Sequence, residues 1–302
     1  MKIAKTQSNS NYKNKTSFKG LIPTERLKEL ASKNTPEARK MLHSCLGFNA
    51  VYRGAQDLNP DRISREMADK FHINTEFGNN PIVAAFSALT ANIFHKLGFA
   101  QPTNVLLKNF DGTRYKKMLG VCATNPYDDE LYRKFGKDFP LRSVILNEAV
   151  NWYNILEQMM HLKNLRHSST GHFLSPCIHE FVHSAHLDNL IKKYGNGSKI
   201  MQKFQRDFKN EATISLIKKE TGNYGATKPC EMVAEEMTEL IVDSLNPKTI
   251  MPDEMIFKMQ RAKEPFQMDV LIDACWRGDV TQIELFRKKN ITIIERIKKL
   301  YG

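Results

Sequence analysis

The chain has 302 residues, of which 41% are hydrophobic and 26% are charged, a composition typical of a globular protein with a sizeable core. The formal net charge is +12, but the basic residues are spread along the chain without a long run or a recognisable nucleic-acid module, so we do not expect nucleic-acid binding. The five cysteines are widely spaced and form no C-x-x-C pair, which argues against a disulfide framework and against a cysteine-based zinc site.

Residues 1–20 are basic and rich in Asn, Ser and Lys. They hold too few apolar residues to offset the entropy of ordering, and we predict a disordered tail. The segment also lacks the apolar stretch of roughly 7–15 residues that a secretory signal needs. We therefore expect a cytoplasmic protein, or one exported without a Sec signal peptide.

Residues 21–100 are predicted to form an N-terminal helical part. Pro36 directly follows Thr35, which is typical of a capped helix start. The longest apolar stretch, from Pro81 to Phe94, is interrupted by polar residues and is too short to cross a membrane, so it predicts a buried helix and no membrane span. The predicted helices cover residues 24–31, 36–46, 62–71 and 82–97.

The pattern changes within residues 101–250, the predicted core of the molecule. Short apolar runs at 105–107 and 118–121 predict two strands joined by an Asp111-Gly112 turn, and a third strand is expected over 141–146. Helical spacing then returns over residues 148–165, 174–194, 198–219 and 229–245. Residues 251–302 predict a C-terminal segment of short helices. The chain as a whole is predicted to be α+β, mainly helical, with a small meander sheet.

A short motif carries the strongest functional signal: His179-Glu180-Phe181-Val182-His183 has the form H-E-x-x-H. Residues four apart lie on one face of a helix, so both imidazoles can reach one metal ion. The glutamate between them lies beside the open position of that ion, where it can accept a proton from water. The rival interpretation is a helix that carries two partly exposed histidines. We favour a site for one Zn²⁺ ion per chain.

A catalytic zinc site usually has three protein ligands and a water. The residues after His183 do not continue the metzincin pattern, so the third ligand must come from elsewhere. The best source is the helical segment 230–236, in which Glu231 and Glu235 share one face. One could bind the metal while the other accepts a hydrogen bond from a ligand histidine. Glu236 is the main competitor if the helix register differs.

Together, H-E-F-V-H and a later helix with E-x-x-A-E resemble the gluzincin peptidases, specifically the catalytic domain of anthrax toxin lethal factor and its bacterial relatives. In that family a Tyr-Gly pair has its tyrosine seven residues before the ligand glutamate, and Tyr224-Gly225 stands seven residues before Glu231. The similarity covers about residues 141–245. It implies a zincin-like fold whose sheet packs on the zinc-binding helix, and a strand, here 141–146, whose edge pairs with an extended substrate.

The same resemblance implies a role for each matching residue. His179, His183 and Glu231 would bind zinc, Glu235 would support a ligand histidine, and Tyr224 would stabilise the tetrahedral oxyanion. The predicted function is a zinc-dependent endopeptidase that hydrolyses protein or peptide substrates with Glu180 as general base. The alternatives are a catalytically silent binding module with this fold and a basic nucleic-acid-binding protein. Similarity to a toxin component also raises the hypothesis of an effector delivered into another cell.

Overall fold

The computed structural model describes residues 20–33, 35–124, 129–135, 140–197, 199–243 and 245. The predicted disordered tail (apart from Gly20) and the predicted C-terminal helices of 251–302 lie outside the described residues. Within them the protein is α+β and mainly helical, as predicted, with one small sheet. No helix in this part of the chain is long and apolar enough to cross a membrane, which agrees with the predicted absence of a membrane span.

Four helices precede the main part of the sheet: α1 (Thr24–Ser32), α2 (Pro36–Ala55), α3 (Pro60–Phe71) and α4 (Pro81–Lys96). The side chains of Thr35, Asn59 and Asn80 cap the last three by accepting backbone N–H groups. All four were predicted, but α2 runs nine residues beyond its expected end at residue 46. Tertiary contacts extend it, because Gly47 packs against the ring of Phe173 and Asn49 exchanges hydrogen bonds with the backbone of Ile22.

The sheet has four strands in the order β1-β2-β4-β3. β1 (Asn74–Glu76), β2 (Asn104–Lys108) and β4 (Val144–Asn147) are parallel, and β3 (Gly120–Cys122) pairs antiparallel with β4. The expected meander, with β2 and β3 as a hairpin, is therefore wrong. The turn at Asp111-Gly112 exists, with Gly112 at φ +80°, but β4 is inserted between the two strands. All four residues of β4 are buried, which suits the centre of a sheet.

The remaining regular elements of the described chain are helices: α5 (Asp129–Phe135), a 3-10 turn (Trp152–Asn154), α6 (Ile155–Asn164), α7 (Ser175–Tyr194), α8 (Lys199–Phe204), α9 (Glu211–Gly225) and α10 (Pro229–Asp243). The helix predicted over 198–219 is two helices. Asn210 ends the segment between them by capping α9 through the N–H of Thr213. The three-residue β1 and the seven-residue α5 were not predicted.

Helix α7 lies at the centre of the core and contacts α4, α10, β3 and β4. Phe181 packs edge-on against Phe94 of α4, with ring centroids 5.3 Å apart. At the sheet, Arg142 donates to the Asp188 carboxylate of α7 at 2.6 Å, and this ion pair is largely buried. The helix that carries the H-E-x-x-H motif is thus held by apolar packing on one side and by an ion pair with Arg142, just before β4, on another.

Just before α7, His172 is buried and stacks on the ring of Phe173, with its Nδ1 accepting the N–H of Leu174. Burial disfavours the charged imidazolium and lowers the pKa of His172 to about 3. The unfolded chain binds this proton near pH 6.5, so His172 costs no stability above that pH. Stability is lost as the pH falls from about 6.5 towards 3, because only the unfolded state gains the proton.

We predict that this proton linkage weakens folding by about 2 kcal/mol between pH 7 and pH 5. In His172→Asn, whose amide oxygen can still accept the Leu174 N–H, the free energy of unfolding should fall by that much less over the same interval. Urea unfolding at both pH values measures the difference. His161→Asn at an exposed position is the control. Equal pH dependence in wild type and His172→Asn would contradict the prediction.

Candidate metal centre

The H-E-x-x-H motif lies in the middle of α7, and its three polar side chains are buried: His179 is 8% exposed, Glu180 8% and His183 6%. One helical turn separates the two histidines, so their rings meet on one face. The Nε2 atoms of His179 and His183 are 3.0 Å apart. The two histidines therefore lie on one face of α7, as predicted, and that face is buried in the protein.

Helix α10 brings a carboxylate to the same point. Oε2 of Glu231 lies 3.1 Å from Nε2 of His179 and 3.1 Å from Nε2 of His183. The three atoms form a nearly equilateral triangle. Two imidazole nitrogens and one carboxylate oxygen cannot all satisfy one another, because each pair needs its own proton on the line between the two atoms. A cation bound by all three atoms removes this conflict, so these residues could hold a metal ion.

The far side of His179 is also occupied. Nδ1 of His179 lies 3.1 Å from Oε1 of Glu235, one helical turn after Glu231. This contact places the ring proton on Nδ1 and leaves the Nε2 lone pair directed at the triangle. The other oxygen of Glu235 accepts the backbone N–H of Ser169 at 2.6 Å. The structure thus places Glu235 against His179 and outside the triangle, while Nδ1 of His183 has no hydrogen-bond partner among the described residues.

The charges of these groups depend on one another. Burial lowers the pKa of His179, but its hydrogen bonds with Glu231 and Glu235 outweigh burial and raise that pKa well above its usual value. Burial raises the pKa of Glu231, yet the charge of His183 and the bonds to both imidazoles lower it well below the usual range. The carboxylates thus favour a positive charge at this point, and a bound cation would supply it in place of the imidazolium proton.

Glu180 points towards strand β3. The backbone N–H of Cys122 donates a hydrogen bond to its carboxylate, and a Cβ added at Gly120 would lie 2.9 Å from Cγ of Glu180. Only glycine leaves room for the glutamate against the strand at this point. Burial raises the pKa of Glu180 above its usual value, against the opposing effect of the two histidines. The importance of Gly120 could not be foreseen, since nothing in the sequence shows that β3 crosses α7 here.

Tyr224 reaches the centre from the end of α9. Its ring lies 5.7 Å from the ring of His179, and it lines two cavities that both reach Glu180. Burial raises the pKa of the Tyr224 hydroxyl well above its usual value, so this group stays protonated and can donate a hydrogen bond. The structure therefore brings all six predicted site residues, His179, Glu180, His183, Tyr224, Glu231 and Glu235, into one region.

The segment 166–169 organises this region and was not identified from the sequence. The carbonyls of Arg166 and His167 accept the N–H groups of Asn223 and Tyr224 at 2.6 and 3.1 Å, and the His167 ring packs against the Tyr224 ring. Ser169 donates to Glu235 through both its N–H and its hydroxyl. One loop thus fixes Tyr224 and, through Glu235, the ring of His179. The partners are more than 50 residues apart in sequence, so no local pattern reveals them.

Two cavities flank Glu180. One, of about 250 Å³, reaches His183, Glu231 and the start of α10, and its lining includes Cys122 and Lys228. The other, of about 360 Å³, reaches His179 and Glu235, and its walls include the apolar side chains of Met118, Leu119, Met159 and Leu162. Arg114, Met118, Gly120 and Tyr224 line both. The residues of the triangle thus border open space on two sides of Glu180.

Comparison with known proteins finds no relative: no protein-family model, no curated protein and no solved structure matches this chain. The chemistry of the site therefore has to be inferred from its own residues. The arrangement offers three metal ligands, a buried carboxylate beside them and a phenol within reach of the same space.

Two backbone segments, the end of α9 and the 166–169 loop, approach each other closely at Gly222. Gly222 interrupts α9 with φ +87° and ψ −177°, and a Cβ there would lie 2.8 Å from the Arg166 carbonyl oxygen. Gly222→Ala should lower the free energy of unfolding by about 2–3 kcal/mol, because this conformation is essentially confined to glycine and the clash is with backbone. It should also move Tyr224, two residues later, out of position.

Gly54→Ala is the matched control, since an added Cβ in α2 meets nothing within 4 Å. Replacing a helical glycine should raise stability by about 0.5–1 kcal/mol. Chemical unfolding of both variants measures the contrast. An equal and small effect of both substitutions would show that the 166–169 contact does not restrict residue 222.

Proposed function

We propose that this protein is a zinc-dependent endopeptidase, with one Zn²⁺ per chain bound by His179, His183 and Glu231. The observation that carries the proposal is the convergence of their three ligand atoms beside the buried carboxylate of Glu180. Two imidazoles and one carboxylate with an open fourth position form the donor set that catalytic zinc sites use.

The spacing of the ligand atoms supports a small four-coordinate ion. Atoms bound to one tetrahedral zinc at about 2.0–2.1 Å lie about 3.3 Å from one another. The three atoms here are 3.0 to 3.1 Å apart, slightly closer than that. When bound, the ion supplies Lewis-acid chemistry, because it polarises a carbonyl and makes a water acidic near neutral pH.

The remaining chemistry belongs to the side chains of the protein. Glu180 accepts a proton from the attacking water and delivers it to the leaving amine. Its raised pKa suits both steps, because a carboxyl group that titrates closer to neutral pH both accepts and releases the proton efficiently. Tyr224, kept protonated by burial, donates its O–H to the oxyanion that forms on the scissile carbonyl.

From the sequence we expected a peptide substrate to pair with the edge of the strand over 141–146, and this expectation is wrong. The strand predicted over 141–146 corresponds to β4, which is paired on both sides with β2 and β3 and has no free edge. β1 and β3 are the edge strands of the described sheet, and β3 lies directly against Glu180. We therefore propose that an extended peptide pairs with β3, which would carry its backbone past Glu180 and into both cavities.

The proposal is tested by measuring bound zinc and peptide cleavage in the same preparations. We expect one zinc per wild-type chain, loss of zinc in His183→Ala and in Glu231→Ala, and retention of zinc in Glu180→Gln. The last variant should cleave a mixed peptide library about 100- to 10,000-fold more slowly, because the proton acceptor is gone and the ligands remain.

Each outcome separates one part of the proposal from another. Wild-type protein that takes up no zinc when zinc is supplied would contradict the metal site. Full zinc content in Glu231→Ala would assign the third ligand to another carboxylate, Glu235 or Glu236 first. Stoichiometric zinc without cleavage would indicate a catalytically silent binding module.

A second variant tests the phenol. Tyr224→Phe removes one oxyanion donor and leaves the ring packed on His167. We expect kcat to fall by about 100-fold, with KM and zinc content nearly unchanged, since the lost hydrogen bond exists only in the transition state. Steady-state kinetics on a single fluorogenic peptide measure both constants. A rise in KM with kcat unchanged would show that Tyr224 binds substrate and does not stabilise the oxyanion.

A further inference from the structure

Each of the two cavities is lined by two carboxylates and two cationic side chains, but the carboxylates have other partners. Glu180, Glu231 and Glu235 are the carboxylates nearest the centre, and each is already engaged. Glu231 contacts both imidazoles, Glu235 contacts His179 and the Ser169 amide, and Glu180 accepts the Cys122 amide. In the described part of the chain, none of the three forms an ion pair with a lysine in the cavity walls.

Two lysines in these walls have no carboxylate partner among the described residues. Lys117 lines the larger cavity and Lys228 lines the smaller one, on the other side of Glu180. Arg114 lines both cavities and lies 3.4 Å from Glu130, a carboxylate outside them. Each cavity beside the centre therefore carries a lysine that no carboxylate of the described residues neutralises.

Both lysines stand on backbone that the fold holds in place. The Asn147 side chain donates to the carbonyls of Lys116 and Met118, at 3.2 and 2.9 Å, which fixes the chain on both sides of Lys117. Lys228 precedes α10, its carbonyl accepts the N–H of Met232, and its side chain is half-buried. The backbone that carries both lysines is therefore fixed at the cleft, while the Lys117 side chain is exposed and the Lys228 side chain is half-buried.

From this arrangement we infer that the cleft selects acidic peptides, with Asp or Glu side chains on both sides of the scissile bond. The inference depends on the proposed peptidase function and adds the class of substrate. A peptide extended along β3 would place one carboxylate near Lys117 and another near Lys228. The apolar wall formed by Met118, Leu119, Met159 and Leu162 takes an uncharged side chain between them.

The test uses full-length, zinc-loaded Glu180→Gln, which binds peptide without cleaving it. Three fluorescent peptides of one length and a common central leucine carry Glu, Gln or Lys at the flanking positions. Fluorescence anisotropy should show about tenfold tighter binding of the Glu peptide than of the Gln peptide at low salt, since each partly exposed charge pair contributes a few-fold. The difference should shrink as salt rises, and the Lys peptide should bind most weakly.

Lys117→Met and Lys228→Met, each added to this variant, should weaken binding of the Glu peptide about threefold to fivefold and leave binding of the Gln peptide unchanged. Lys28→Met is the matched control, because Lys28 is exposed on α1 and lines neither cavity. Equal binding of the Glu and Gln peptides overturns the inference. So does an equal loss in Lys28→Met, which would reflect only the net charge of the chain.

Two further results separate this inference from the proposed function. Selective binding of the Glu peptide by Glu180→Gln, with no cleavage of that peptide by the zinc-loaded wild type, supports the acidic-peptide site and contradicts the peptidase. Cleavage of all three peptides at equal kcat/KM supports the peptidase and overturns the acidic selectivity. A single-stranded oligonucleotide that displaces the Glu peptide at lower concentration than the unlabelled peptide would overturn the inference in favour of a nucleic-acid surface.

Discussion

Two imidazoles and three carboxylates share one buried region between α7, α10 and β3, and every charge there must be neutralised inside the protein. Isolated ionised groups are expensive to bury, and a region of this kind folds only if each group finds a partner. Hydrogen bonds stabilise some of these charges: Glu235 accepts from His179, and the Cys122 amide donates to Glu180. The triangle of His179, His183 and Glu231 remains, and a cation bound by these three residues would complete the compensation. Binding of such an ion would also stabilise the packing of α7 on α10, because its ligands come from both helices.

The backbone around this centre is arranged for close approach. Gly120 lets β3 lie against the side chain of Glu180, and Gly222 lets the end of α9 lie against the carbonyl of Arg166. The first contact places a sheet edge beside the carboxylate, and the second aims Tyr224 at the space between the cavities. Ser169, three residues after Arg166, bonds Glu235. Movement of this loop would consequently change the positions of the phenol and of the ligand histidine together, so the two parts of the site are mechanically coupled.

The sequence predicted those features of the structure that depend on interactions between residues close together in the chain. The four-residue spacing of His179 and His183 and the capping side chain of Thr35 act within one or two helical turns, and the helices they define were predicted. The sheet order was not, because β4 lies between β2 and β3 through pairings that join distant segments. Tyr224 and Glu235 were named through a resemblance to a family motif, whereas their contacts with 166–169 had no signal in the sequence. Residues 1–20 and 251–302, apart from Gly20, lie outside the described structure, so their predicted disorder and helices stay predictions.

The proposed metal ion and the proposed choice of substrate are electrostatically connected. Three glutamates near the centre contribute negative charge to the cleft, and Lys117 and Lys228 contribute positive charge at its two sides. With Arg114, which lines both cavities, the carboxylates and the cationic side chains of the cleft are equal in number, so the side chains alone would give an acidic peptide little net attraction. A divalent cation bound by His179, His183 and Glu231 would add two positive charges and make the cleft net positive. The ion would therefore determine whether the lysines can attract an acidic chain, so that substrate selection and catalytic competence arise in the same binding event.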